Sequence, residues 1–292
     1  MSTQPGTASG TTLRADCTVD ANGRISFALQ PPANSALQPP STSAPQPPST
    51  TARLLLRLRP KKGQPEKTVH ALDLESTEDG RLRAVLDPQP ALAEGRWDVY
   101  LLPEPGAPRQ RLRPGLRDLR TLVDGHRSDR QTPVAVRIPY VTKDGYLAVR
   151  AWLRAAHAEV EGVDVRDRSM TVRARLHGVV LAEGACVRLR LRGDGGTALD
   201  LVPQVEDDGH GFRFTVDFGE LAGDGGAGNR VWDLFVQAGS AEGAAPVRIG
   251  RLLDDVADRK EIFVLPAADV GGSVVRPYYT VDNDLSVLAD RT

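Results

Sequence analysis

The side chains able to do chemistry are dispersed along this sequence. Five histidines, His70, His126, His157, His177 and His210, show no ligand spacing, and neither His-Glu-x-x-His nor Cys-x-x-Cys occurs. The paired acids Asp207-Asp208 and Asp254-Asp255 have the composition of a general acid–base pair. Each pair lies in turn-like sequence, where a carboxylate is ordinarily solvated. Gly223-Asp-Gly-Gly-Ala-Gly228 has the glycine content of a phosphate cradle. A phosphate loop joins a strand to a helix N-terminus and often carries Lys-Ser/Thr, whereas this run ends at Asn229 and leads into an apolar segment at Trp232. The Gly-x-Ser-x-Gly elbow of serine hydrolases does not occur. The sequence thus offers no catalytic residue, no cofactor-binding residue and no metal ligand, and no cofactor is expected.

A second class of chemistry is stacking. Trp97, Trp232, Tyr140, Tyr278 and Tyr279 are aromatics on which a sugar ring could lie. Their placement argues for another use. Arg96-Trp-Asp-Val-Tyr100 returns as Val231-Trp-Asp-Leu-Phe235, an offset of 135 between Trp97 and Trp232. A tryptophan at one strand position in two repeats is the large anchor that a sandwich core needs.

The longest echo pairs Val136-Arg-Ile-Pro-Tyr-Val-Thr-Lys-Asp-Gly-Tyr-Leu-Ala-Val149 with Val274-Val-Arg-Pro-Tyr-Tyr-Thr-Val-Asp-Asn-Asp-Leu-Ser-Val287. Pro139, Tyr140, Thr142 and Asp144 each recur 138 positions later. Proline is expected to end strand pairing there. The tyrosine is expected to fold over the edge and give its hydroxyl to backbone, as in a tyrosine corner. Asp144-Gly145 and Asp282-Asn283 are expected to form the turn into each last strand.

These phrases need strands to carry them, and the remaining sequence supplies strand signals. Asn22-Gly23 lies between alternating runs and predicts a hairpin. Arg53-Leu-Leu-Leu-Arg-Leu-Arg59 and Cys186-Val-Arg-Leu-Arg-Leu-Arg192 alternate with period two, one face buried and one wet. Gly turns at Asp79-Gly80 and Asp208-Gly209 feed further alternating strands. Only Leu116 to Val123, and more briefly Leu252 to Ala257, look helical, for a turn or two. The expected fold is all-β: two tandem immunoglobulin-like β-sandwich domains from an internal duplication. Residues 1–11 are a frayed N-terminus, 12–154 the first domain and 155–292 the second. Within the first, three tandem octapeptides, Ala28–Ser35, Ala36–Ser43 and Ala44–Thr51, carry paired prolines and predict an extended insert loop over 30–52. It reads as an expanded hairpin loop, or as a ligand for a proline-binding partner.

Composition excludes several classes. A net charge of −1, from 37 basic and 38 acidic residues, provides no global field for nucleic acid or an anionic membrane. The opening residues lack the basic and apolar regions of a signal peptide, and no apolar run is long enough for a membrane span. Cys17 and Cys186 occupy different places in their repeats. Two buried thiols in a reducing cytoplasm fit them, with a bridge between them as the alternative.

The phrase Val274–Val287, with Ala156-His-Ala-Glu-Val160 and Val163-Asp-Val165, resembles sequences in actinobacterial proteins. There, similar β-rich modules follow the catalytic domain of glycosyltransferases and CDP-glycerol glycerophosphotransferase-like enzymes that build cell-surface polymers. An arginine- and alanine-rich composition with only two methionines suits such a GC-rich genome. The resemblance spans both repeats and carries over no catalytic residue, since no nucleotide-sugar-binding α/β domain is present. It implies a non-catalytic accessory or scaffold protein with a transferase or surface glycan as partner. The alternatives are a transferase whose unfamiliar site is built at the domain interface, and a purely structural, self-assembling module. Oligomeric state is not legible.

Overall fold

The computed structural model describes residues 13–30, 51–60, 63–66, 68–124, 132–193, 195–222, 228–240 and 245–291. The N-terminal residues expected to fray, the proline repeats after Gln30, His126 and most of the Gly223–Gly228 run lie outside these residues. The chain forms two compact units, residues 1–124 with 137–151, and residues 125–136 with 152–292.

In the first unit the strands are β1 (Arg14–Val19), β2 (Ile25–Leu29), β3 (Arg53–Leu58), β4 (Val69–Asp73), β5 (Glu75–Ser76), β6 (Leu82–Leu86), β7 (Gly95–Leu102), β8 (Gln110–Arg111) and β9 (Arg113–Asp118). A five-residue helix, α1 (Arg120–Asp124), precedes β10 (Val134–Val141) and β11 (Leu147–Arg154). One sheet has the order β5-β6-β2-β1-β9, the other β10-β11-β7-β3-β4 with β8 also on β7. Alternation sets the faces: Ala15, Cys17 and Val19 of β1 point inward while Arg14 and Thr18 are exposed. Ile25 and Phe27 of one sheet meet Leu54, Leu56, Trp97 and Val149 of the other in one apolar core. Burial of each such side chain contributes about 1.5–3 kcal/mol.

The second unit comprises β12 (His157–Arg166), β13 (Ser169–His177), β14 (Cys186–Leu191), β15 (Ala198–Leu201), β16 (Gln204–Val205), β17 (Gly211–Asp217), helix α2 (Phe218–Ala222), β18 (Arg230–Gln237), β19 (Val247–Gly250), β20 (Ala268–Val270), β21 (Ser273–Tyr279) and β22 (Leu285–Arg291). Its strands form one continuous sheet, because β19 pairs antiparallel with β18 and parallel with β12. In the first unit two strands divide that task, β8 on β7 and β9 on β1. The second core gathers Met170, Val172, Phe212, Phe214, Trp232 and Val287.

The two units pair their strands in one pattern. Leu58 lies opposite Trp97 as Leu191 lies opposite Trp232, and Trp97 faces Val149 as Trp232 faces Val287. The chain is therefore an all-β sandwich protein, as its alternation predicts. The hairpin at Asn22-Gly23 forms with Gly23 at φ +75°, and the Asp20 carboxylate accepts the backbone N–H groups of Asn22 and Arg24.

Three local expectations fail. Pro139 and Pro277 sit inside β10 and β21 instead of ending them, and Pro277 pairs with Val287. β20 reaches only Ser273 to Val275, so beyond them β21 has a bare edge, where proline is tolerated. Leu252 to Ala257 is not helical. A helical turn forms instead at α2, which buries Phe218 and Leu221. Both cysteines are free thiols; Cys17 is buried but Cys186 only half-buried. Burial pushes the Cys17 thiol up to about 12.

Candidate functional site

The tryptophans of the candidate sugar platform are core residues. Trp97 and Trp232 are each 2% exposed, and their indole N–H groups donate to the carbonyls of Ala93 (3.0 Å) and Leu221 (3.1 Å). No face of either ring is open to a ligand. Trp152, which no echo marks, is also buried and donates to the Asp282 carbonyl at 3.2 Å.

The Pro-Tyr-x-Thr phrases build the hairpin turns β10–β11 and β21–β22. Thr142 N–H donates to the Tyr146 carbonyl, and the Thr142 hydroxyl oxygen accepts the Tyr146 N–H at 3.0 Å. Thr280 does the same for Asp284, at 3.2 Å through its hydroxyl. Gly145 (φ +76°) and Asn283 (φ +61°) fill the left-handed position of each turn, as their residue types predict. The tyrosines do not form corners. Tyr140 is buried with its hydroxyl meeting no partner among the described residues. Tyr278 is half-buried and engages Arg192. Tyr279 packs edge-on to Phe263, and burial raises its phenol to about 12.

On the strand face opposite each tryptophan stands an acid held between two arginines. Alternation turns Asp98 outward from β7 because Trp97 points inward, and the same holds for Asp233 on β18. Asp98 accepts from Arg59 at 2.6 Å and Arg111 at 3.1 Å. Asp233 accepts from Arg192 at 2.6 Å, Arg248 at 2.7 Å and the Ser286 hydroxyl at 2.8 Å. Burial works to raise the Asp233 carboxyl. The Arg192 bond, the Arg248 charge and the Ser286 bond outweigh it and hold the group below the usual range. The Trp-Asp echo contains this signal, since an acid beside an inward tryptophan must face the arginine stripe of the neighbouring strand.

The two frames differ at one corner. In the first unit the Tyr146 ring lies beneath the guanidinium groups of Arg111 (4.1 Å) and Arg113 (4.2 Å). In the second, Asp284 occupies that turn position and pairs with Arg154 at 3.0 Å and Arg248 at 3.5 Å. Gly250 stands in place of Arg113: Arg113 donates to the Gly145 carbonyl, while a Cβ on Gly250 would meet the Asn283 carbonyl at 2.8 Å. Beside Arg248 and Asp284 a cleft of about 390 Å³ opens.

A second cleft in the same unit, about 430 Å³, is lined by Glu159, Glu161, Arg175, His177, Arg251 and Asp254. Two of its three acids, Glu159 and Asp254, are already engaged, and Glu161 is exposed. Glu159 is 4% exposed, accepts the backbone N–H groups of Leu252 (2.7 Å) and Leu253 (3.1 Å), and lies 2.7 Å from Nε2 of the fully buried His157. Asp254, expected to be a solvated turn acid, is paired with the fully buried Arg259 and with Arg251. Arg259 also donates to the Arg251 carbonyl and lies over the Phe263 ring. Asn283 closes the network, accepting from Arg259 N–H and donating to the Val256 carbonyl, both at 3.0 Å. Asp208 holds a turn through the N–H groups of His210 and Gly211 and pairs with Arg175. Those bonds keep its carboxyl well below the usual range.

Chemically, these groups anchor irregular chain to sheet. Among the described residues no three His, Cys, Asp or Glu side chains converge as metal ligands, and no helix is long and apolar enough to cross a membrane.

No protein-family profile matches the chain, and no curated protein matches it. Among solved structures it is similar to residues 217–571 of S. aureus TarS, with 13% identity over 70% of this chain and 55% of that one, at a TM-score of 0.30. A longer S. aureus TarS structure gives 13% identity over 70% of this chain and 34% of that one, at 0.29. The tetra-tandem repeat in the extending region of a large adhesion protein gives 13% identity over 96% of this chain and 81% of that one, at 0.22. The chain thus spans about half of the first TarS fragment and about a third of the longer structure. At these scores the likeness carries no argument about function.

Proposed function

We propose that the chain is a non-catalytic accessory module, two copies of one β-sandwich unit, that contacts glycan on behalf of a transferase building a cell-surface polymer. The observation that carries this reading is the engagement of the acids. Glu159, Asp254, Asp98 and Asp233 each satisfy backbone amides or arginines of their own unit, while a polar cleft beside the second frame stays open. A general acid or base needs a free lone pair or proton within reach of its substrate. The phrases at 274–287 and 156–165, resembling modules that follow such transferases, supply the partner. The matched pairing of the two units supports an internal duplication. Two free thiols suit a reducing compartment, the cytoplasm.

The test is affinity capture from extract of the native host, with the whole chain as bait and mass spectrometry as readout. A glycosyl- or glycerophosphotransferase is expected among the enriched proteins. Recovery of none overturns the assignment to a transferase system.

A further inference from the structure

The geometry points to a ligand for the open cleft of the second unit: a neutral, hydroxyl-rich six-membered ring, that is, a pyranose sugar. This rests on the accessory reading above and names the site and chemical class that the reading leaves open.

The two frames differ at the position of this ligand. In the first unit a six-membered ring, the Tyr146 phenol, already lies against the arginine that holds the frame acid. In the second unit the equivalent arginine, Arg248, has a carboxylate beside it, Asp284, and Gly250 replaces the second guanidinium. Arg248 keeps the Phe235 ring at 4.9 Å on its own strand pair, but at the turn position the Tyr146 ring has been exchanged for a carboxylate beside an opening of about 390 Å³. That volume accommodates one or two sugar rings.

Charge narrows the class of ligand. The cleft is lined by Arg192, Arg248 and Lys260 and by Asp233, Asp282 and Asp284. The lining sets three cations against three carboxylates, with Arg154 paired to Asp284 behind it, so no large net charge selects a strongly anionic or cationic ligand. Planar carboxylates and guanidinium groups beside a half-buried aromatic, Tyr278, match vicinal hydroxyls and a ring face. Lys260 is exposed, has no ion-pair partner among the described residues and presents three donors. The groups around Asp233 are pre-positioned by their mutual bonds, which lowers the ordering cost of binding. A Kd on the order of 1 mM is the expected result for a single ring in so open a site.

The experiment is a titration of the 15N-labelled whole chain with methyl α-D-glucopyranoside, methyl α-D-galactopyranoside and methyl N-acetyl-α-D-glucosaminide, with inorganic phosphate as a separate arm. At least one glycoside is expected to shift the amides of Lys260 and Tyr278 to Asp284, leaving Thr142 to Tyr146 unmoved. Lys260→Ala, at an exposed side chain, is expected to weaken binding about tenfold. Asp284→Tyr, which restores the ring of the first unit, is expected to abolish it. Three outcomes overturn the inference: no glycoside shifts these amides, the shifts survive both substitutions, or phosphate produces the same shifts at lower concentration. Transferase capture by a chain that shows no glycoside shifts overturns this cleft alone. Intact shifts without capture overturn the transferase assignment alone.

Discussion

Replacing Glu159 by alanine is expected to destabilise the second unit by about 3–5 kcal/mol, among the largest effects of any single polar substitution in the chain. The carboxylate accepts two backbone N–H groups, from Leu252 and Leu253, and lies against a histidine with no solvent contact. Removing it strands two buried donors and the His157 ring, and an unsatisfied buried donor costs about 1–3 kcal/mol. The segment from Leu252 to Arg259 then loses its tie to β12. The first unit provides an internal control. Asp16 on β1 accepts the Leu116 N–H at 2.7 Å and the Gln30 side chain at 2.9 Å, but its side chain is 20% exposed. Water can replace much of what Asp16→Ala removes, so about 1 kcal/mol is expected there. Urea unfolding followed by hydrogen exchange separates the units. Protection is expected to fall in residues 245–265 for Glu159→Ala and to stay unchanged in the first unit. A loss below about 1 kcal/mol would mean that Glu159 is held for some purpose other than stability.

The second large effect belongs to the tryptophans. Trp232→Ala is expected to cost about 3–5 kcal/mol, and Trp97→Ala a similar amount in its own unit, because each leaves a cavity in a close-packed core. Trp232→Phe is expected to cost less, about 1–2 kcal/mol. It keeps most of the packing and strands only the Leu221 carbonyl that the indole N–H satisfies. Thermal melts of the three variants check this. Were either tryptophan a sugar platform, its alanine variant would keep its melting temperature and lose binding instead.

Much of this fold can be read in the sequence, since strand alternation and turn chemistry are local. Leu54, Leu56, Val187 and Leu189 face inward as their period dictates, and Gly23, Gly145 and Asn283 take the left-handed positions that their types favour. The repeat offsets reappear as register: Trp97 opposite Val149, Trp232 opposite Val287. What fails is non-local. Pro139 and Pro277 read as strand ends, but tolerance for Pro277 depends on how far β20 extends, which no local signal states. Alternation around Ala158 and Val160 places His157 and Glu159 on the wet face of β12. Packing of the segment after β19 covers that face as well, so four successive residues are buried. Asp254 looks like a turn acid until Arg259 is brought against it. The open cleft was legible only in part. The echo contains the exchange of Tyr146 for Asp284, but its meaning depends on Arg111 and Arg248, which neighbouring strands deliver.

The central claim is that the chain recognises glycan without transforming it. The most direct measurement combines co-sedimentation of the purified whole chain on insoluble wall polysaccharide from the native host with quantitation of added UDP-sugar and CDP-glycerol. The account predicts that the chain sediments with the polysaccharide, that Asp284→Tyr stays in the supernatant, and that both donors remain intact. Consumption of either donor, lost on substituting an acid of the second unit in a chain that remains folded, would contradict it.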